Sequence, residues 1–133
     1  MNEVNQTDLA EAPVSEIACD MTALTREEIE RLEQETTALF AAADDLRVLA
    51  DGFAIGISDA SNEQVISLGT LIAYDRLCCK FLRHTVVAEP HSMKVWLYLT
   101  GGSGTTDFIE ADLKRRLPEG SRLGNLLRAA FPD

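Results

Sequence analysis

Apolar residues recur with two different periods along this chain of 133 residues, and each change of period marks a new element. Ile29, Leu32, Leu39 and Phe40 recur at helical spacing through about Ala43, and Thr25 with Glu28 forms a capping box at the start of that helix. A strand over residues 46–50 follows, and then Phe53, Ile55 and Ile57 alternate as one strand face. Asp51-Gly52 between them reads as a tight type I′ hairpin, whose two central residues need positive φ. Ser61 and Gln64 form a second capping box, opening a long helix to residue 83 with Val65, Leu68, Ile72 and Leu82 along one stripe. Two more strands are expected over 85–89 and 94–100, joined by Pro90-His91-Ser92-Met93. In the second of them Val95, Leu97 and Leu99 alternate against Trp96 and Tyr98. The loop Gly101-Gly102-Ser103-Gly104 feeds a helix starting near Asp107, and Pro118-Glu119-Gly120 ends it. Residues 121–131 form a short last helix with Leu123, Leu126 and Leu127 on one side.

The order α-ββα-ββα-α predicts an α+β fold, with a four-stranded, mainly antiparallel sheet and helices packed on it. Trp96 and Tyr98 would then face away from the helices above that sheet, to be covered by the first helix or by a second copy of the chain, a homodimer. Residues 1–16 hold Glu3, Asp8, Glu11 and Glu16 but no Lys or Arg, and Pro13 interrupts any helix. They are expected to be a mobile acidic tail, leaving 17–133 as a single domain.

A hydrophobic fraction of 46% is enough for one core. The formal charge of −10 sets a field that repels phosphate backbones, which argues against nucleic-acid partners. No apolar run approaches the roughly 20 residues that span a bilayer, and the N-terminus lacks the basic flank and apolar stretch of a signal peptide. No membrane partner is therefore expected, and the cytoplasm is the expected location. There, three cysteines are read as free thiols or thiolate ligands before disulfides.

The chemistry of interest lies at Cys78 and Cys79. Adjacent residues have Cα atoms about 3.8 Å apart, below the usual disulfide range of roughly 4.4 to 6.8 Å, so a bond between these two would be strained. On a helix both thiols stay on one side, with Asp75 on a neighbouring part of that surface. If the more apolar Ile17-Ala18-Cys19 docks there, Cys19, Cys78, Cys79 and Asp75 become candidate ligands for a soft or borderline ion such as Zn(II), Cu(I), Hg(II) or As(III). Sulfurs within about 4 Å of one another would fit a shared tetrahedral ion. One rival is a thiol redox protein, in which Cys19 is the only partner free to form an unstrained bridge. Arg76, Lys80 and Arg83 favour thiolate there and Asp75 opposes it, although a solvated helix face also accounts for the cations. Another rival is an interaction module with the cysteines as small core hydrophobes. His84 and His91 flank the third strand, and a His near the cysteines could ligate a metal or act as a base, but His84, five residues after Cys79, falls off the helical face and reads more readily as a strand-edge or capping residue. The Gly101–Gly104 loop matches no phosphate-binding fingerprint and reads as a connector. The glutamates from Glu27 to Glu35 read as a solvated face. No catalytic triad, zinc-protease motif or paired catalytic acids can be assigned, so enzymatic activity is not implied.

The stretch Asp75-Arg76-Leu77-Cys78-Cys79-Lys80-Phe81 resembles the signature of a family of small, poorly characterised bacterial proteins. Their pattern is an acidic residue, Arg, any residue, then Cys-Cys-Pro-Phe, with a Trp-Leu-x-Leu-Thr-Gly strand end downstream. Here the second element is Trp96-Leu97-Tyr98-Leu99-Thr100-Gly101. Ile17-Ala18-Cys19-Asp20 with Leu24-Thr25 is also similar, so the likeness runs from about Ile17 to Leu113. Lys80 replaces the usual Pro and Asp75 the usual Glu; a Lys there makes it easier for the helix to continue past the cysteines. The resemblance implies a common fold and makes the Cys pair notable, and it brings no activity.

Overall fold

The computed structural model describes residues 17–132; the acidic tail read from residues 1–16 lies outside the described residues. A 3-10 turn at Met21–Ala23 leads into helices α1 (Arg26–Ala42), α2 (Asn62–Cys78), α3 (Thr105–Arg116) and α4 (Arg122–Ala130). They are interleaved with strands β1 (Asp45–Leu49), β2 (Gly52–Ile57), β3 (Arg83–Ala88) and β4 (Val95–Thr100). The strands form one antiparallel sheet in the order β1-β2-β4-β3. The α+β class and the four-stranded antiparallel sheet are as expected from the sequence.

Both capping boxes form, so each long helix starts where its own local chemistry satisfies the first free N–H groups. Thr25 accepts from the Glu28 N–H while the Glu28 carboxylate accepts from the Thr25 N–H, and Ser61 and Gln64 do the same. Phe53, Ile55 and Ile57 of β2, with Val95 and Leu97 of β4, point to one face, where they meet Leu32 and Leu39 of α1, Leu68 and Leu71 of α2, and Leu123 and Leu127 of α4. The buried face of α2 differs from the expected stripe. Val65 is 42% exposed, Leu71 is buried in its place, and Leu82 lies beyond the helix end.

The first hairpin turn sits one residue earlier than Asp51-Gly52. Leu49 pairs with Gly52, so Ala50 and Asp51 make the loop, and neither has positive φ. Glycine is needed at 52 for another reason: a Cβ there would lie 1.9 Å from the Leu99 carbonyl oxygen of β4.

Trp96 occupies the opposite sheet face, yet only 2% of it is exposed. The first helix does not cover it, since α1 packs with α2 against the other face. Its own strand neighbours do. The Arg47 guanidinium lies 4.1 Å and the Lys94 ammonium 4.6 Å from its ring centroid, and Gly56 leaves room for the ring to lie flat. Lys94 is held by Asp45 at 2.5 Å and Arg47 donates to the Tyr98 hydroxyl at 2.9 Å. Burying Trp96 therefore requires no second copy of the chain.

Candidate functional site

The site forms where the segment before α1 crosses the end of α2. The Asp20 N–H donates to the Cys78 carbonyl at 2.7 Å, and Leu24 is buried in the core, so the segment is fixed at two points. Asp20 also accepts from the Thr22 N–H and hydroxyl, which closes the 3-10 turn and holds the Asp20 carboxyl below its ordinary value. Between these anchors Cys19 reaches Cys79. The two are joined by a disulfide with Cα atoms 4.3 Å apart, closing 60 residues of chain.

Two expectations are thereby corrected. The cysteines are not all free thiols: Cys19 and Cys79 are bonded and Cys78 alone is free. Nor does the helix run past the pair. Cys79 is the C-cap, at φ −107 and ψ 71, although Lys80 would have allowed continuation. Tertiary contacts decide this, because Asp20 takes the Cys78 carbonyl and Cys79 must turn out of the helix to meet Cys19.

Cys78 is 2% exposed and its Sγ lies 3.7 Å from Cys79 Sγ. Burial raises its thiol pKa above the ordinary 9.0, and the Asp75 carboxylate adds to the rise. It is a neutral S–H at physiological pH. Arg76, Lys80 and Arg83 are all exposed, in keeping with a solvated face, and they do not offset the burial. The Cys78 and Cys79 sulfurs and one Asp75 oxygen lie within 4.8 Å of one another. All four residues singled out in the sequence therefore meet here, with Cys19 joined through the bond.

His84 was missed. It is the second residue of β3, and its Nε2 lies 2.6 Å from Asp75 Oδ2, with only 4% of the side chain exposed. Counting along a helix could not place it, because the helix has ended and the chain has turned back. His91 sits in the exposed β3–β4 turn at φ 58, and takes no part.

The glutamates of α1 also divide. Glu27 and Glu30 are exposed, whereas Glu35 accepts from Ser67 and Arg31, and Glu33 receives Arg116 at 2.9 Å across the gap between α1 and α3. Arg116 also donates to Asp112, so its guanidinium is held from both sides and its pKa is raised, first by Glu33. Beneath this bridge lies a cavity of about 350 Å³ that reaches the three cysteines and Asp75.

No family model, curated protein or solved structure matches this chain. The likeness to the Cys-Cys-Pro-Phe family rests on the motif residues quoted above. Among the described residues no helix is long and apolar enough to cross a membrane.

Proposed function

We propose that the protein is a thiol–disulfide redox protein whose working bond joins Cys19 and Cys79. One observation carries this reading: the bond has an exposed residue, Cys19, on one side and a buried one, Cys79, on the other, with a third thiol 3.7 Å away. Exchange proceeds when a thiolate attacks a disulfide sulfur in line and the better-supported sulfur leaves. An external thiolate R–S⁻ attacks Cys19 Sγ, forming Cys19–S–S–R and releasing Cys79 as thiolate. A second R–S⁻ attacks the R sulfur, giving R–S–S–R and the Cys19 thiolate. Two electrons enter the protein, and both thiolates take protons from water.

Cys78 supports the leaving group. Its retained S–H is within hydrogen-bonding reach of Cys79 Sγ, so it can donate to the thiolate as charge develops there. It does not compete for the bond, being neutral and separated from Cys79 by only one peptide unit. Burial, with the Asp75 carboxylate adding to it, keeps Cys78 protonated, and His84 bonds Asp75.

The test is the midpoint potential, measured by equilibrating the protein in glutathione buffers. A working bond is expected between about −270 and −120 mV, the range of thiol–disulfide exchange proteins. A value below about −300 mV would make the bond a structural staple and end the proposal.

A second reading concerns the reduced form. An ion with sulfur bonds of about 2.3 Å holds tetrahedral ligands about 3.8 Å apart, close to the observed 3.7 Å between Cys78 and Cys79. With Cys19 released, Asp75 and three sulfurs would offer a set suited to Zn(II), Cu(I), Hg(II) or As(III). On this reading the oxidised protein binds no Hg(II) beyond the free Cys78, and reduction restores stoichiometric binding. Equal binding before and after reduction would rule it out.

A further inference from the structure

The cavity beside the sulfurs is bounded by α1, α2, α3 and the sheet. Its floor includes Ile55 and Leu97, and its walls include Leu39 and Leu113. These four are almost entirely buried, so the space reaches the core. Its volume of about 350 Å³ lies within the range of small-molecule sites.

Its two ends differ. Phe108, in the first turns of α3, packs edge-on against Phe81, two residues beyond Cys79, so this end of the helix stands over the sulfurs. Arg116 closes the same helix eight residues later, about 12 Å along its axis. There Arg116 donates to both Glu33 and Asp112, and Arg115 bonds Asp112, so two bases and two acids satisfy one another. The basic end is thus neutralised from within, the sulfur end carries the Asp75 carboxylate bonded to His84, which disfavours an anionic ligand, and the body between is mainly apolar. A mainly apolar body with polar groups confined to its ends favours a ligand whose bulk is apolar.

We propose that this cavity binds the body of an uncharged, apolar organic thiol or its disulfide, placing the ligand sulfur at Cys19. The inference rests on the redox reading above and names its substrate class. In the direction written there, R–S⁻ lies in the cavity as it attacks Cys19 Sγ; Cys79 leaves as thiolate, and the mixed disulfide keeps R between α1 and α3. A second molecule of the same thiol completes the reduction, so the thiol is the reductant and R–S–S–R its product.

The experiment compares 2-phenylethanethiol with 2-mercaptoethanol, two alkyl thiols that differ in the apolar body, as reductants of the oxidised full-length protein. Second-order rates are followed by the appearance of protein thiols. The aromatic thiol is expected to react roughly tenfold faster or more, the equivalent of burying one ring. Thr36 lines the cavity on α1 without belonging to the buried core, and Thr36→Phe should fill the space and remove that preference while leaving the mercaptoethanol rate within about twofold. Should that variant fail to fold, ethylbenzene, which has no sulfur, serves as competitor on the native protein and should slow only the aromatic thiol. Equal rates for the two thiols, or a preference untouched by ethylbenzene, would overturn the cavity proposal and leave the redox reading standing. A protein that neither thiol reduces would remove both.

Discussion

Replacing Cys19 by serine opens the longest covalent loop in the molecule and leaves the core intact. The bond spans 60 residues of sequence, from the segment before α1 to the end of α2. In the chain-entropy model a closed loop of that length removes about 14 cal/mol/K from the unfolded chain, or about 4 kcal/mol at 25 °C. Direct contacts add little, because Cys19 and its neighbours Ala18 and Asp20 are exposed. A domain of this size loses about 4 °C of Tm per kcal/mol, so the Cys19→Ser variant should melt about 15 °C below the oxidised protein. Chemical reduction should give nearly the same shift. Since domain stabilities run to about 5 to 15 kcal/mol, both forms should remain folded at room temperature, as a redox cycle requires. Through linkage the same 4 kcal/mol places the native potential about 90 mV below that of the same cysteines in the unfolded chain. The assay is thermal melting by circular dichroism of oxidised, reduced and Cys19→Ser protein. A loss under about 1 kcal/mol would refute the reasoning, showing that the segment is held by Leu24 and the Asp20–Cys78 hydrogen bond without help from the sulfur.

Cys78→Ser should lower stability by about 1 to 3 kcal/mol through a buried hydroxyl in place of a thiol, while thiol titration shows the Cys19–Cys79 bond unchanged; a melt identical to the native protein would show that the hydroxyl finds the Asp75 carbonyl. The Cys78 thiol binds its proton more tightly when folded than when unfolded, so stability should be flat below the ordinary value of 9.0 and fall as pH rises above it, read as a lower urea midpoint at pH 10 than at pH 8. A rising midpoint over that interval would contradict the assignment. Gly56→Ala should push the Trp96 ring off the sheet, since the new Cβ would lie 3.0 Å from the ring and 3.1 Å from Asp45 Cβ. The expected cost is about 1 to 3 kcal/mol with red-shifted tryptophan fluorescence, and an unshifted spectrum would mean that the face is looser than described.

The elements of this protein are local matters, and so they can be read along the chain. A capping box needs only four consecutive residues, which is why Thr25 with Glu28 and Ser61 with Gln64 mark both long helices. Alternation through Val95, Leu97 and Leu99 needs only one strand, and it separates the core face from the face of Trp96. The candidate cysteines could be singled out in the same way, by type and adjacency. Their partners could not. The Cys19–Cys79 bond, the Arg116–Glu33 bridge and the Asp75–His84 contact each join residues from different elements, and only packing sets those distances. Even the end of α2 belongs to this second group: Lys80 permits the helix to continue, but the Cys78 carbonyl is taken by Asp20 and the Cys79 sulfur by Cys19. Residue type decided which groups can do sulfur chemistry, and the crossing of two distant segments decided which sulfur is bonded, which is buried, and which faces the cavity. Such crossings depend on the sum of many weak contacts across the core, and no local pattern in the sequence encodes that sum.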